Sequence, residues 1–508
     1  MDNKTVIAII LSLAVLIGFQ LFFQPPQPEI APQPPAVEKR AESPEPATIP
    51  VIPGTTAEKE VEITVDHALY SAVLSSRGGT IKSWSIKAYK DKQGEDVVLL
   101  ERPGTVPALS IGGTDALELA GANFSVTGSD LKLNSGRESG KIIFEYAGEG
   151  VSVRRSYTFH ADSYKVDITD EVNGLPQYWI TLGSDFGIFS GEEESGTHVG
   201  PILLTGTDLE ELNSKKLREK PQTFRQDLKW IAQQDKYFFS ALVPATPVEE
   251  ARAWTHKDSN IIAFKSNEKV NNFVLYAGPK EHKRLQSLNL GLEHIVDFGF
   301  FSIISRPLFW ILIFFYDFLG NYGWAIVLLT IVTRIPFIPL LNKGQKSMRK
   351  LQELQPKMAE IKEKYKKDPQ KMQKEMTDLY KKNKVNPVGG CLPMLLQIPV
   401  FFALYKVLLV AIELRGAPFI FWITDLSMKD PYYVLPIIMG LTMFIQQKMT
   451  PTTMDPKQAK IMMFLPLIFT FMFLGFASGL VLYWLINNVL SIIQQFFVNR
   501  KLAKQPAS

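Results

Sequence analysis

NYGWAIVLLTIVTRIPFIPLL, residues 321–341, has the length of a bilayer crossing, with Tyr322 and Trp324 at the end where an aromatic belt belongs. It also holds Arg334 and, just beyond it, Pro336 and Pro339. A guanidinium at the centre of a membrane helix costs about 2.5–3.5 kcal/mol on insertion scales, so something must compensate. One compensation is snorkelling, since Leu341 lies only about 10 Å of helix beyond the arginine. The other is a polar surface supplied by neighbouring spans.

Four further apolar runs, 387–411, 431–449, 460–476 and 478–498, contain no aspartate or glutamate, so no span holds a counter-ion for Arg334. They carry neutral polar groups instead: Gln397, Thr442, Gln446, Gln447, Thr470, Asn487, Asn488, Ser491 and Gln494. Thr330 stands one turn before Arg334, and Tyr483, Asn487 and Ser491 recur at i, i+4, i+8 on the last run. Each such group serves equally well as glue between helices. Together with an arginine that lacks a carboxylate, they predict a hydrated, positively charged groove. Proline interrupts several spans, at Pro336, Pro399, Pro436 and Pro466 among others, and methionines such as Met439, Met443 and Met472 add adaptable apolar surface.

Outward from these spans, the chain divides by composition. Residues 1–23 read as an uncleaved membrane anchor that runs on through Phe19, Leu21, Phe22 and Phe23. Residues 24–59 are too proline-rich for packed structure and read as an extended tether. From 60 to 290 the pattern alternates with period two, as in VEITV, KIIFEYAG and VSVRRSYTF, which predicts an antiparallel β-sandwich. All six histidines fall in or just after this region without metal-ligand spacing, and Cys391 is the only cysteine, so no disulfide staples the fold. Residues 291–319, apolar but broken by Arg306, Pro307 and Asp317, read as a helix lying in the membrane interface. The crossing 320–341 follows.

Residues 342–386 form a basic segment in which lysines and arginines outnumber acids about two to one. Apolar residues at helical spacing, Met348, Leu351, Leu354, Met358, Ile361 and Tyr365, then Met372, Met376 and Leu379 after Asp368 and Pro369, predict an antiparallel helical hairpin. Lys346, Arg349, Lys350, Lys357, Lys364, Lys366 and Lys367 are its candidate docking charges for anionic partners. The same charge is explained equally by a solvated, topology-setting pair. Loops at 412–430 and 450–459 and a tail at 499–508 complete the plan. Six crossings with both termini in the cytoplasm place every lysine-rich loop inside and the β domain outside.

The stretches VNPVGGCLPMLLQIPVFFALYKVL, ELRGAPF, DPYYVLPIIMGLTMFIQQKM, PTTMDP and FASGLVLYWLINN closely resemble the YidC family of bacterial membrane-protein insertases, and the resemblance extends over essentially the whole chain. It implies a multi-pass α-helical membrane protein with six transmembrane helices, five of them an insertase core, and an all-β periplasmic supersandwich. It makes Arg334 the groove arginine, Thr330 its neighbour, and Trp484 beside Tyr483 the substrate-contacting position; tyrosine followed by tryptophan, where relatives carry two tyrosines, makes that contact apolar. The expected groove set is therefore Arg334, Thr330, Gln397, Gln446, Gln447, Tyr483, Trp484, Asn487 and Asn488. Expected partners are nascent membrane proteins, the ribosome, the Sec translocon, the signal recognition particle and its receptor, and anionic lipids, with no nucleic-acid substrate. No phosphate loop is present, and the spans lack the histidines and acids of proton chemistry, so neither an enzyme nor a cofactor is expected. The competing function, a secondary transporter or channel, would call for internal repeats and coupling-ion ligands that the spans do not display.

Overall fold

The structure, a computed structural model, describes residues 59–503 except 92, 102–104, 134–137, 149, 190–196, 384, 386–391 and 451–455; the side chains of 392–396, 456–461 and 501–503 are not described. The anchor, nearly all of the tether, Cys391 and the PTTMD loop thus lie outside the described residues.

Strands occupy the region from Glu62 to Pro279. The alternation that predicts them is visible in their burial: along EITVDH, Ile63, Val65 and His67 point inward while their neighbours face solvent. Nine strands form the main sheet, in spatial order Asp208–Glu211, Gly200–Thr205, Leu228–Gln234, Phe238–Pro244, Val270–Pro279, Lys165–Asn173, Val151–His160, Ser139–Gly148 and Ser125–Thr127. Two five-stranded sheets accompany it, one built on Thr80–Lys90 and one on Ser259–Ser266. Among the described residues, strand pairing is antiparallel except between Glu62–His67 and Leu131–Leu133, which run parallel, a departure from the purely antiparallel expectation. That pair is possible because the intervening strands provide the long crossover that parallel neighbours need.

A buried ion pair sits at the centre of the domain. Arg155 Nε and Nη2 donate to Asp170 Oδ1 and Oδ2 at 2.7 and 2.8 Å, and both side chains are fully buried. Arg155 also donates to the Leu109 carbonyl, and the Tyr157 hydroxyl donates to the Gly79 carbonyl at 2.6 Å. These bonds tie the main sheet to the segments beside it.

The helices are α1 (Ser214–Glu219), α2 (His282–Ser287), α3 (Ser302–Leu319), α4 (Tyr322–Arg334), α5 (Ile338–Glu353), α6 (Gln355–Lys364), α7 (Pro369–Lys382), α8 (Leu392–Val410), α9 (Val434–Met449), α10 (Pro456–Phe473) and α11 (Ser478–Ala503). Local chemistry sets several boundaries. Gly320 ends α3 with φ +65°, and Asn321 caps α4 by accepting from the Trp324 amide at 3.1 Å. Asp368 caps α7 in the same way, with Pro369 at its first position. Between α4 and α5 the chain tightens into a 3-10 turn, Ile335–Phe337, where Pro336 has no amide to donate.

Three described helical stretches are long and apolar enough to cross a membrane: Ser302–Leu319, Tyr322–Glu353 and Ser478–Arg500. Shorter apolar stretches, Gln397–Val410, Val434–Met449 and Met462–Phe473, lie in the other expected spans. The first of the long helices coincides with the segment expected to lie in the interface, and it leaves Ile303, Phe314 and Phe318 on its outer surface. Outward apolar residues on α9 and α10, such as Leu441 and Phe464, suit a lipid surround rather than water.

The basic segment is helical, but its first arm is broken. Leu354 sits between α5 and α6 and closes the end of α5 with its own amide, and Pro356 follows at the start of α6. Leu351, Leu354, Met358 and Val385 form a small core with Met348, Met376, Leu379 and Tyr380, joining the two arms. Of the residues spaced for that face, Ile361, Tyr365 and Met372 are not in this core.

Candidate functional site: an arginine-floored groove

Arg334 is the last residue of α4, and its half-buried guanidinium crosses to α11. Nη1 donates to the carbonyl of Asn487 at 2.9 Å and to its Oδ1 at 2.6 Å; Nη2 donates to Ser491 Oγ at 2.8 Å and Gln494 Oε1 at 3.2 Å. Gln494 in turn donates from Nε2 to Asn342 Oδ1 on α5, at 2.8 Å. All four acceptors are neutral, so the cation keeps its full charge. Nε is buried with no hydrogen-bond partner among the described residues.

Beside this cluster lies a groove of about 490 Å³. Ile331, Ile335 and Ile338 form one wall and Leu490, Ile493 and Phe497 the other, with Arg334, Asn342, Lys346 and Gln494 providing its polar floor. An apolar trough with a charged floor is suited to a guest that is itself partly apolar and partly polar.

The other expected groove residues occupy different levels. Thr330 is buried and spends its hydroxyl on the Ile326 carbonyl at 2.7 Å, within its own helix. Tyr483 is buried and accepts from Gln397 Nε2 at 2.7 Å, bridging α11 to α8. Trp484 is packed into an aromatic cluster, with ring centroids 4.7 Å from Phe401, 5.0 Å from Phe473 and 5.9 Å from Phe469. Asn488 faces α9, donating to Thr442 Oγ1 at 3.3 Å, and Gln447 donates to the Met462 carbonyl. The Gln446 carbonyl accepts from the Thr450 amide at 3.0 Å. The polar set therefore divides between one arginine-centred cluster and several helix-to-helix ties. Ser491, Gln494 and Asn342 join the cluster. Asn342 was not singled out by spacing because its helix is reached only after the Ile335–Phe337 turn.

On the hairpin, Lys346, Lys350, Lys357, Lys364, Lys366 and Lys367 are exposed. Arg349 differs: its Nη1 donates to the Asn499 carbonyl at 3.1 Å, tying α5 to the end of α11.

A second polar cluster joins the β domain to the helices. The Tyr89 hydroxyl and Arg284 Nε both bond Glu281, at 2.8 and 2.6 Å, and the His282 amide donates to Glu413 Oε1 at 3.3 Å. Burial, reinforced by the neighbouring Glu281 charge, pushes the Glu413 carboxyl up to about 7. Burial also lowers the His282 imidazole, whose ring centroid lies 5.4 Å from Phe309 and 5.6 Å from Trp310. Sequence patterning had no means of bringing Tyr89 and Glu413 to the 281–284 segment, from which each is separated by more than a hundred positions.

Residues 62–311 match the family model described as the YidC periplasmic domain, and residues 314–505 match the 60Kd inner membrane protein model. The chain is 40% identical to the membrane protein insertase YidC of Syntrophus aciditrophicus (strain SB), over 99% of this chain and 100% of that one. It is also 40% identical to the membrane protein insertase YidC of Geotalea daltonii, again over 99% and 100%. Among solved structures, it is similar to that of an active YidC insertase with the first transmembrane domain resolved, at 18% identity and a TM-score of 0.39, over 88% of this chain and 94% of that one.

Proposed function

The chain belongs to the YidC family of membrane protein insertases, and from that premise we propose that it inserts apolar helices into the bacterial inner membrane by way of the groove at Arg334. The observation that carries this mechanism is a guanidinium held, among the described residues, only by neutral acceptors beside an apolar trough. A carboxylate partner would have cancelled the charge.

The driving force lies in the guest. A twenty-residue apolar helix gains on the order of 6–12 kcal/mol on entering lipid, whereas the polar tail that must cross opposes it at about 2.5–3.5 kcal/mol per charge. The groove shortens that crossing: the hydrated floor at Arg334 pairs transiently with an acidic or polar tail while the apolar segment slides along Ile331, Ile335 and Leu490 into lipid. No fuel or cofactor takes part in these steps. Short, lightly charged tails are the favoured substrates.

In this reading the six crossings place both termini in the cytoplasm and the β domain in the periplasm. The basic hairpin docks ribosomes, the signal recognition particle with its receptor, or anionic lipid surfaces through Lys350, Lys357, Lys364, Lys366 and Lys367, and the protein works alone or with the Sec translocon.

The test is site-specific photocrosslinking from Ile331, Ile493 and Trp484 to a ribosome-bound nascent chain carrying one span, alongside Arg334→Ala and Arg334→Lys. Crosslinks from the two groove positions, loss of insertion in Ala and retention in Lys are expected. Full insertion by the Ala variant without groove crosslinks would reduce Arg334 to a snorkelling residue.

A further inference from the structure

Among the described residues, two charged side chains line the groove beside Arg334, and both are cations: Arg334 itself and Lys346. They are held differently. Arg334 is fixed by Asn487, Ser491 and Gln494, whereas Lys346 is exposed and has no hydrogen bond or ion pair among the described residues.

A polar track connects the two. Gln494 Oε1 accepts from Arg334 Nη2 at 3.2 Å, Gln494 Nε2 donates to Asn342 Oδ1 at 2.8 Å, and Lys346 stands one helical turn beyond Asn342 on α5. The walls along this track are open apolar surface, with Ile331, Ile335, Ile338, Ile493 and Phe497 between 37% and 56% exposed. The next cation along α5 is already engaged: Arg349 donates to the Asn499 carbonyl at 3.1 Å and lies 3.9 Å from Glu353. Lys346 is therefore the free charge at the end of the groove nearer the basic segment.

The twelve residues from Arg334 to Lys346 correspond to about 18 Å of helix, at about 1.5 Å per residue. An extended chain advances about 3.4 Å per residue, so about five residues of a strand bridge the two cations.

We propose that Lys346 is a specificity-determining residue of the groove: together with Arg334 it reads the spacing of acidic residues in the guest's tail, favouring two carboxylates about five residues apart. The proposal rests on the reading above, in which the tail passes through this groove. The acid nearer the tip of an extended tail then reaches Arg334 while the second sits at Lys346. Each carboxylate meets its own cation, so neither faces the apolar walls uncompensated. Two adjacent acids would crowd like charges against one cation and leave the other unused. A lipid phosphate seated on Lys346 would make insertion indifferent to spacing, so the two occupants give opposite results.

The experiment uses the full chain in vesicles of phosphatidylethanolamine and phosphatidylglycerol. Single-span guests carry tails of identical composition with two aspartates about one, five or ten residues apart, on either side of the spacing an extended chain sets. Initial insertion rates are read as protection from external protease. With the unmodified protein, the middle spacing should insert about fivefold faster than the other two, the upper end of what one exposed ion pair supplies. Lys346→Gln should bring that ratio to about unity, because the ion pair is gone. Lys346→Glu should transfer the preference to a guest whose aspartate nearer the span is replaced by lysine, a reversal that a topology-setting charge would not produce. Equal rates for the three spacings in the unmodified protein would overturn the proposal, as would a ratio that survives Lys346→Gln. Arg334→Ala tests the groove separately. Full insertion by that variant would remove the route and the proposal with it, whereas lost insertion together with equal rates across spacings would overturn the role of Lys346 alone.

Discussion

Arg334 Nη1 donates to both the main-chain carbonyl and the side-chain oxygen of Asn487, so one asparagine presents two acceptors to one nitrogen. Ser491 completes the arrangement: its hydroxyl donates to the same carbonyl at 2.8 Å while accepting from Nη2. The guanidinium is oriented by α11 without being neutralised.

Asn487→Asp separates orientation from charge. The carboxylate should pair with Arg334 and raise the thermal unfolding temperature in detergent, because an ion pair replaces a hydrogen bond from the guanidinium to an uncharged amide. Insertion of a single-span guest should fall to the level of Arg334→Ala. Asn487→Leu removes Oδ1 and should cost about 1.5–3 kcal/mol of stability, the range for a hydrogen bond to a charged group. An Asp variant that keeps wild-type insertion would show that free positive charge is not what the groove contributes.

Gly440 on α9 faces Thr470 on α10 so closely that an added Cβ would meet the threonine hydroxyl. Gly440→Ala should destabilise the helix pair by about 1–3 kcal/mol, as overpacking does. Gly440→Ala with Thr470→Ala should recover most of that loss, since the obstructing oxygen is gone. Thermal melts of the three variants in one detergent decide the point.

The joint at Glu413 should respond to pH. Its folded carboxyl is raised to about 7 from an ordinary value near 4.5, so the folded state holds a proton that the unfolded chain has released. This contribution is fully present below pH 4.5 and is lost as pH rises through 7. His282 acts in the opposite sense: burial lowers its imidazole, so its protonation below the ordinary 6.5 opposes folding. Glu413→Gln removes only the first term. Relative to the parent, it should gain stability as pH rises from 5 to 8, measured by unfolding temperature across that range. Parallel curves for the two proteins would refute the assignment.

Asp170→Ala leaves a fully buried guanidinium unpaired in the β domain and should cost about 3–5 kcal/mol. Hydrogen exchange in the strands Val151–His160 and Lys165–Asn173 should accelerate, with helix α11 much less affected. Uniform acceleration throughout would indicate that the two regions unfold as one unit.

Much of this architecture was legible because it is periodic. Inward residues such as Ile63 and Val65 alternate along their strand, and Met348, Leu351, Leu354 and Met358 recur along the basic arm; both patterns follow from local geometry. The link from Arg334 to Asn487 and Ser491 was foreshadowed by an arginine without a counter-ion and a polar stripe on the last span. Tyr483 belongs to the same stripe, yet it bonds Gln397, because it lies about 6 Å of helix before Asn487 and meets a different neighbour there. Trp484, expected from resemblance to contact a guest, packs against Phe401 and Phe473 in this structure. Which neighbour a helix presents at a given depth is a tertiary fact. The Glu413–His282 joint is tertiary in the same sense and left no periodic trace.

The Ile335–Phe337 turn and the Arg349–Asn499 bond together make a mechanical linkage. Helix α5 is a strut about 24 Å long, pivoted one residue past Arg334. The bond to Asn499 is a tie from that strut to the far end of α11. With pivot, strut and tie closed into a loop, a load applied to the basic hairpin cannot swing α5 alone. It must also shear α11 against α4, the two helices between which the guanidinium is suspended.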